Sequence, residues 1–205
     1  MSRRCIIISG GEFTPVPDIL PDDFIIACDR GYPYCRKLGL KPDLMISDFD
    51  SFSGPVAKEI PVLDFPSEKD DTDTMLAIRW ALENHFDEIR MYCALGGRLD
   101  HTYANMQSLV FARKHGIQAG IYSPDEIILA VQNEKISLPR REGWSLSVFA
   151  ADTACSGVTL RGTKYLLENA ELIPSFPLGV SNQWTAPEAE ISVQEGVLLV
   201  IQSKM

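Results

Sequence analysis

The chain changes character near residue 125, and that change limits the fold more than any single motif does. Before it, short β-branched runs at 5–9, 24–28, 44–47, 61–65, 89–94 and 117–122 alternate with helical patterns. The runs are apolar without strict alternation, as strands covered on both faces of a parallel sheet are. Residues 73–85 place Met75, Ile78, Leu82 and Phe86 at three- and four-residue steps, and 101–115 repeat the spacing with Met106, Leu109, Val110 and Arg113. Gly116 stands where a left-handed C-terminal cap belongs. This alternation predicts an α/β layer with right-handed crossovers and a mainly parallel sheet.

After residue 125 no helix-length amphipathic stretch remains. Short runs at 127–131, 144–149, 158–161, 191–193 and 197–202, parted by Gly, Pro and Asn, predict a small all-β sandwich or barrel. Two domains are therefore expected: α/β over 1–125 and an all-β sandwich over 126–205. So short a β domain is expected to lean on the first or on another subunit.

Composition narrows the function. Nineteen Lys and Arg against 28 Asp and Glu leave a net charge of -9, without a basic cluster, which argues against nucleic acid as a partner. The longest apolar runs, Cys5-Ile6-Ile7-Ile8 and Gly196-Val197-Leu198-Leu199-Val200-Ile201, fall short of the roughly 20 residues a spanning helix needs, so no membrane partner is expected. The first run is also too short for a secretory signal. Five cysteines (5, 28, 35, 93 and 155) form no C-x-x-C pair, the usage of a cytoplasmic protein with reduced thiols. Three histidines (85, 101 and 115) cannot build a His-rich site, so any metal would be held by oxygen.

Glycine and polar residues gather just after the strands: Gly10 and Gly11, Asp29 and Gly31, Asp48 and Asp50, Lys69 to Asp73, Gly96 to His101. In an open parallel sheet these carboxyl ends share one edge, where such folds bind ligands. Between Lys41 and Asp73, nine acids face three lysines. Carboxylates crowded in a crevice need protons or a cation. An all-oxygen set favours a hard ion, Mg2+ if a nucleotide phosphate completes the shell.

Four segments carry the chemistry, each with a plainer alternative. Asp48 and Asp50, in Ser47-Asp48-Phe49-Asp50-Ser51, would point the same way in an extended turn and share an ion; the alternative is an Asx-turn. Lys69-Asp70-Asp71-Thr72-Asp73 opens a helix, where one Asp or Thr is an ordinary N-cap, but three aspartates in four residues call for a cation. Gly96-Gly97-Arg98-Leu99-Asp100-His101 lets the backbone approach an anion, with Arg98 as a fork for phosphate and Asp100 as a possible N-cap. No P-loop and no G-x-G-x-x-G is present. In Val180-Ser181-Asn182-Gln183-Trp184, Trp184 either offers a flat face to a heteroaromatic ring or is a core residue; Trp80 and Trp144 read as core.

Taken in order, these segments resemble the thiamine pyrophosphokinase (thiamine diphosphokinase) family over nearly the whole chain. The likeness rests on D-x-D-S at 48–51, K-D-x-T-D at 69–73, G-G-R-x-D-H at 96–101, a stretch similar to G-x-K-Y-x-L-E-N at 162–169, and S-N-x-W at 181–184. The chain departs from the family pattern at Arg30 and Tyr32, at Ser47 and at Leu166. The resemblance implies an α/β domain that binds nucleotide and Mg2+, a β-sandwich that binds thiamine and dimerises, and a homodimer with active sites between subunits. It implies transfer of pyrophosphate from ATP to the thiamine hydroxyl, giving thiamine diphosphate and AMP. On it, Asp48, Asp50 and Asp73 are the expected metal ligands, with Lys69 and Arg98 helping to stabilise charge. Asp100 is an additional acid and the hypothesised proton acceptor. Gly10, Gly11, Asp29, Gly31, Thr72, Gly96 and Gly97 are the expected nucleotide contacts, and Ser181, Asn182 and Trp184 the thiamine contacts. The competing readings are a diphosphokinase for another heterocyclic alcohol, such as a hydroxymethyl pterin, and a non-catalytic thiamine or nucleotide sensor.

Overall fold

The computed structural model describes residues 3–48, 52, 54–65 and 71–205. The chain separates into two compact units, Met1–Pro124 and Asp125–Met205.

In the first unit, strands β1 (Arg4–Ile8), β2 (Phe24–Cys28), β3 (Leu44–Ser47), β4 (Val62–Asp64), β5 (Glu88–Tyr92) and β6 (Gln118–Tyr122) form a sheet in the order β6-β5-β1-β2-β3-β4. Every pair in it is parallel. Helices α1 (Gly31–Leu38), α2 (Asp73–Glu83) and α3 (Leu99–Lys114) make crossovers between parallel strands. The inner strands β1, β2 and β3 are buried on both faces, which explains their apolar runs, whereas the edge strand β4 is exposed. Ile6, Ile8, Ile25, Ala27 and Met45 pack with Tyr32 and Cys35 of α1. On the opposite face, Phe24 stacks on Trp80 of α2 with ring centroids 4.9 Å apart. The α/β class is as the sequence predicts.

α1 was not expected from the sequence. Pro33 lies in its first turn, where its missing N–H costs nothing, and Gly39 closes it at φ 70°. Of the expected stripe, Ile78 and Phe86 are buried while Met75 and Leu82 are only part-buried, and α2 buries Thr74, Ala77 and Ala81 beside Ile78. Small side chains on that face let the helix lie close to the sheet.

The second unit is all β, also as predicted. One antiparallel sheet has the order β12-β9-β14-β7, made of β7 (Glu126–Gln132), β9 (Trp144–Ala150), β12 (Gly179–Asn182) and β14 (Val197–Lys204). The other has the order β11-β10-β13-β8, from β8 (Lys135–Pro139), β10 (Cys155–Arg161), β11 (Leu167–Leu172) and β13 (Glu188–Ser192). Val131, Leu146, Val148 and Val200 from the first sheet meet Val158, Leu160, Ala189 and Ile191 from the second, so the unit is a sandwich. Among the described residues, no helix is long and apolar enough to cross a membrane.

Candidate functional site

Strand order locates the site. The chain steps from β1 to β2, β3 and β4 on one side, then returns to place β5 on the other side of β1. The carboxyl ends of β1 and β5 thus flank the point where the order reverses, the crevice in which open α/β sheets hold ligands. There the residues after β1 run along those after β5, with Gly11 N–H donating to the Cys93 carbonyl at 2.7 Å and Glu12 N–H to the Leu95 carbonyl at 2.8 Å. A Cβ on Gly11 would stand 2.5 Å from the Leu95 carbonyl oxygen, so only glycine permits this approach. Gly96 and Gly97, at φ 75° and 68°, turn the chain into α3.

Three carboxylates meet beside this crevice. Asp29 follows β2, Asp48 follows β3, and Asp73 is the first residue of α2; each offers an oxygen within 4.8 Å of the others. Asp29 is buried in a left-handed conformation at φ 43°, with its N–H donating to the Ile46 carbonyl at 3.0 Å. The Ser47 hydroxyl donates to Asp29 Oδ1 at 2.9 Å, which fixes the carboxylate. Thr72 caps α2, its hydroxyl accepting from Met75 N–H at 3.2 Å, and so sets the first turn that carries Asp73. Cys28 Sγ donates to the Asp73 carbonyl at 3.6 Å, and burial holds its thiol well above the ordinary value, hence neutral. An all-oxygen, trianionic set of this spacing suits a hard divalent cation. The sequence placed Asp29 among nucleotide contacts and Asp50 beside Asp48 on the metal; the structure brings Asp29 itself to Asp48 and Asp73. Asp50 lies outside the described residues, as does Lys69.

The carboxylates open into a cavity of about 560 Å³. Gly10, Gly11, Asp29, Asp48, Thr72 and Asp73 line it, and Gly96, Gly97 and Arg98 complete its far wall. Of the described residues expected in this α/β unit, Gly31 and Asp100 do not line it. Gly31 serves packing instead: a Cβ there would lie 1.9 Å from the Ile8 carbonyl oxygen, so glycine lets α1 start against β1. Asp100 points its carboxylate back at Arg98, with Oδ1 3.1 Å from Nε and Oδ2 2.5 Å from Nη2, and Oδ1 also accepts from His101 N–H at 3.0 Å. The Arg98 hydrogen bond holds the Asp100 carboxyl below the usual carboxylate range, and in this arrangement the carboxylate anchors the guanidinium. Glu12, Phe13, Arg30, Tyr34 and Asn105 also line the cavity. Sequence reasoning had not named them as site residues; proximity to Gly10-Gly11 was the available signal for the first two.

In the second unit, the Ser181–Trp184 segment is spent largely on structure. Asn182 is buried; its Oδ1 accepts from Tyr165 N–H at 3.0 Å and Gln183 N–H at 2.9 Å, while its Nδ2 donates to the Tyr165 carbonyl at 2.6 Å. Trp184 is 6% exposed within the sandwich core, its indole N–H donating to the Leu138 carbonyl at 3.1 Å. The core alternative that the sequence left open therefore describes its surroundings in this chain. Ser181 is exposed at φ 57°, its N–H donating to the Ser147 hydroxyl at 3.0 Å. Exposed Tyr165 and Leu166 precede the strand that pairs with β10, and exposed Val180 adjoins Ser181.

Comparison with known proteins points the same way along the whole chain. The family model described as the thiamin pyrophosphokinase catalytic domain matches residues 20–121, and the one described as the thiamin pyrophosphokinase vitamin B1 binding domain matches residues 133–198. A thiamine pyrophosphokinase of Bacillus subtilis (strain 168) is 28% identical over 207 residues, spanning 96% of this chain and 97% of its own. The crystal structure of thiamine pyrophosphokinase from Bacillus subtilis superposes with a TM-score of 0.89 at 26% identity, covering 99% of this chain and 100% of that one. The thiamin pyrophosphokinase structure from Geobacillus thermodenitrificans gives a TM-score of 0.84 at 26% identity, covering 98% of each chain.

Proposed function

The chain belongs to the thiamine pyrophosphokinase family, and on that premise we propose that it transfers the pyrophosphoryl group of ATP to the hydroxyethyl oxygen of thiamine. The observation that carries this reading is the meeting of Asp29, Asp48 and Asp73 within 4.8 Å at the mouth of a cavity large enough for a nucleotide. In the reaction, the thiamine alcohol forms a bond to the β-phosphorus, the bond from that phosphorus to the α,β-bridging oxygen breaks, and AMP leaves. The hydroxyl proton passes to solvent or to a phosphate oxygen.

Asp29, Asp48 and Asp73 would hold Mg2+, which when bound neutralises charge on the polyphosphate. Asp50 and Lys69 keep the roles that the family motifs imply, metal ligand and phosphate partner. Arg98, fixed by Asp100, presents its remaining donors to the anion without having to be ordered first. Gly10, Gly11, Thr72, Gly96 and Gly97 let backbone approach the nucleotide. A loose transition state needs little early deprotonation, so the Asp100 carboxylate is not required as a base.

Thiamine is assigned to the second unit, where Ser181 supplies an exposed hydroxyl and Asn182 and Trp184 shape the segment from beneath. The reading includes a homodimer with active sites between subunits, supported by the exposed Tyr165, Leu166, Phe176, Leu178 and Val180 of that unit. It places the enzyme in the cytoplasm, supported by five unpaired, buried cysteines.

The test is AMP release from ATP and Mg2+ in the presence of thiamine, or of a hydroxymethyl pterin. Thiamine-dependent AMP with stoichiometric thiamine diphosphate is the expected result. AMP release that follows the pterin alone, or thiamine binding without any AMP, overturns the assignment.

A further inference from the structure

The cavity has two chemically distinct sides. Asp29, Asp48 and Asp73 follow β2, β3 and β4, whereas Gly10 to Phe13 follow β1 and Ala94 to Gly97 follow β5. Adjacent strands stand about 4.8 Å apart, so the β1–β5 side is displaced from the carboxylates along the sheet edge. On that side the lining includes Glu12, Phe13 and Tyr34.

The two aromatic side chains are held in place, and the third residue is fixed through its backbone. The Tyr34 hydroxyl donates to the Gly11 carbonyl at 2.9 Å, tying α1 to the segment after β1. The Phe13 ring meets the Tyr34 ring edge-on, with centroids 5.4 Å apart at 67°, and Lys37 Nζ lies 3.8 Å from the Phe13 centroid. An aromatic wall set in this way loses little freedom when a flat ligand packs on it. Glu12 has its backbone fixed by Leu95, and its side chain lies where a Cβ on Gly96 would be, 2.4 Å from the Glu12 carboxyl carbon. Among the described residues, its carboxylate has neither an ion-pair partner nor a hydrogen bond. A carboxylate repels phosphate but accepts from a vicinal diol, whose two hydroxyls match its two oxygens.

We propose that Glu12, Phe13 and Tyr34 form a nucleoside subsite, with Phe13 and Tyr34 walling the base and the Glu12 carboxylate accepting from the ribose hydroxyls. The assignment rests on ATP being the donor. It leaves the metal-facing phosphates to the β2–β3–β4 side of the cavity, with Arg98, after β5, as their further anchor.

The test is equilibrium binding of ATP, 2′,3′-dideoxy-ATP and inorganic tripolyphosphate, in magnesium buffer, to the full chain and to Glu12→Gln, Phe13→Ala and Phe13→Leu. Glu12→Gln should weaken ATP about tenfold or more and leave dideoxy-ATP and tripolyphosphate within about twofold. Phe13→Ala should weaken ATP and dideoxy-ATP alike and spare tripolyphosphate, with Phe13→Leu milder in the same order. Phe13→Leu, which keeps most of the apolar volume, carries this arm if Phe13→Ala fails to fold. Equal loss of ATP and dideoxy-ATP in Glu12→Gln, or tripolyphosphate falling in step with ATP in either Phe13 variant, overturns the subsite and leaves the donor reading standing. Absence of saturable ATP binding by the unaltered chain overturns both.

Discussion

Replacing Asp29 with asparagine should make the protein more stable and less able to use metal. The left-handed φ of 43° at this position is one that asparagine also adopts readily, so the backbone need not move. The amide oxygen can still accept from the Ser47 hydroxyl, now 2.9 Å from Asp29 Oδ1. What changes is charge. Two carboxylate oxygens at the outer limit of 4.8 Å repel by about 3.5 kcal/mol at an effective dielectric constant of ~20, and Asp29 takes part in two pairs within that limit. Salt, solvent and neighbouring groups remove most of that, leaving a net gain on the order of 1 kcal/mol, or a rise of about 2–4 °C in Tm for a chain of this size. The same substitution removes one of three anionic ligands and should raise the half-saturating Mg2+ concentration by about tenfold to hundredfold. Differential scanning calorimetry in EDTA and in excess Mg2+, paired with a Mg2+ titration of AMP release, reads both effects. A lower Tm in EDTA, or a Mg2+ requirement within about twofold of the parent, would refute the idea that these three carboxylates are held together for a cation.

Trp184→Ala should cost about 3–5 kcal/mol in urea denaturation, because the indole fills the sandwich core; an unchanged midpoint would mean the ring is not packed there. Gly31→Ala forces a Cβ to within 1.9 Å of the Ile8 carbonyl, so the start of α1 must shift at about 1–3 kcal/mol, read as a lower thermal midpoint; a midpoint equal to the parent's contradicts the close approach. The Asp100 carboxyl titrates below its unfolded value, so its pairing with Arg98 is complete above the ordinary carboxylate range and is lost only as pH falls through the lowered folded value. Asp100→Asn should therefore raise the ATP KM by freeing Arg98 while leaving the pH–rate profile between about pH 6 and 9 unshifted; disappearance of an acidic limb from that profile would restore Asp100 as the proton acceptor.

The regular parts of the fold were legible because burial writes itself into local pattern. β1, β2 and β3 are covered on both faces and read as nearly unbroken apolar runs, and Gly116, at φ 87°, ends the α3 region where a left-handed residue was expected. The elements that escaped notice lack that pattern. Helix α1 buries only Gly31, Tyr32 and Cys35 in eight residues and carries Pro33, so no stripe marks it. Strand β11, Leu-Glu-Asn-Ala-Glu-Leu, lies at a sheet edge with three of its six residues exposed. The buried face of α2 sets one isoleucine, Ile78, among threonine and alanine, and which small residues face a sheet depends on how closely the helix approaches it.

The sequence by itself determined that glycine and acid residues would sit at the carboxyl ends of parallel strands, since strand direction and connection handedness are set by local chemistry. Only the tertiary structure decided which acids share a point. Asp48 and Asp50 are close in sequence, yet the partners that the described residues supply to Asp48 are Asp29, nineteen positions upstream, and Asp73 at the start of a helix. Likewise the linear reading leaves Trp184 open between a ligand face and a core residue, and the packing of two sheets buries both it and Asn182. Distance along a chain constrains distance in space only over a few residues; beyond that, sheet order and helix placement set it.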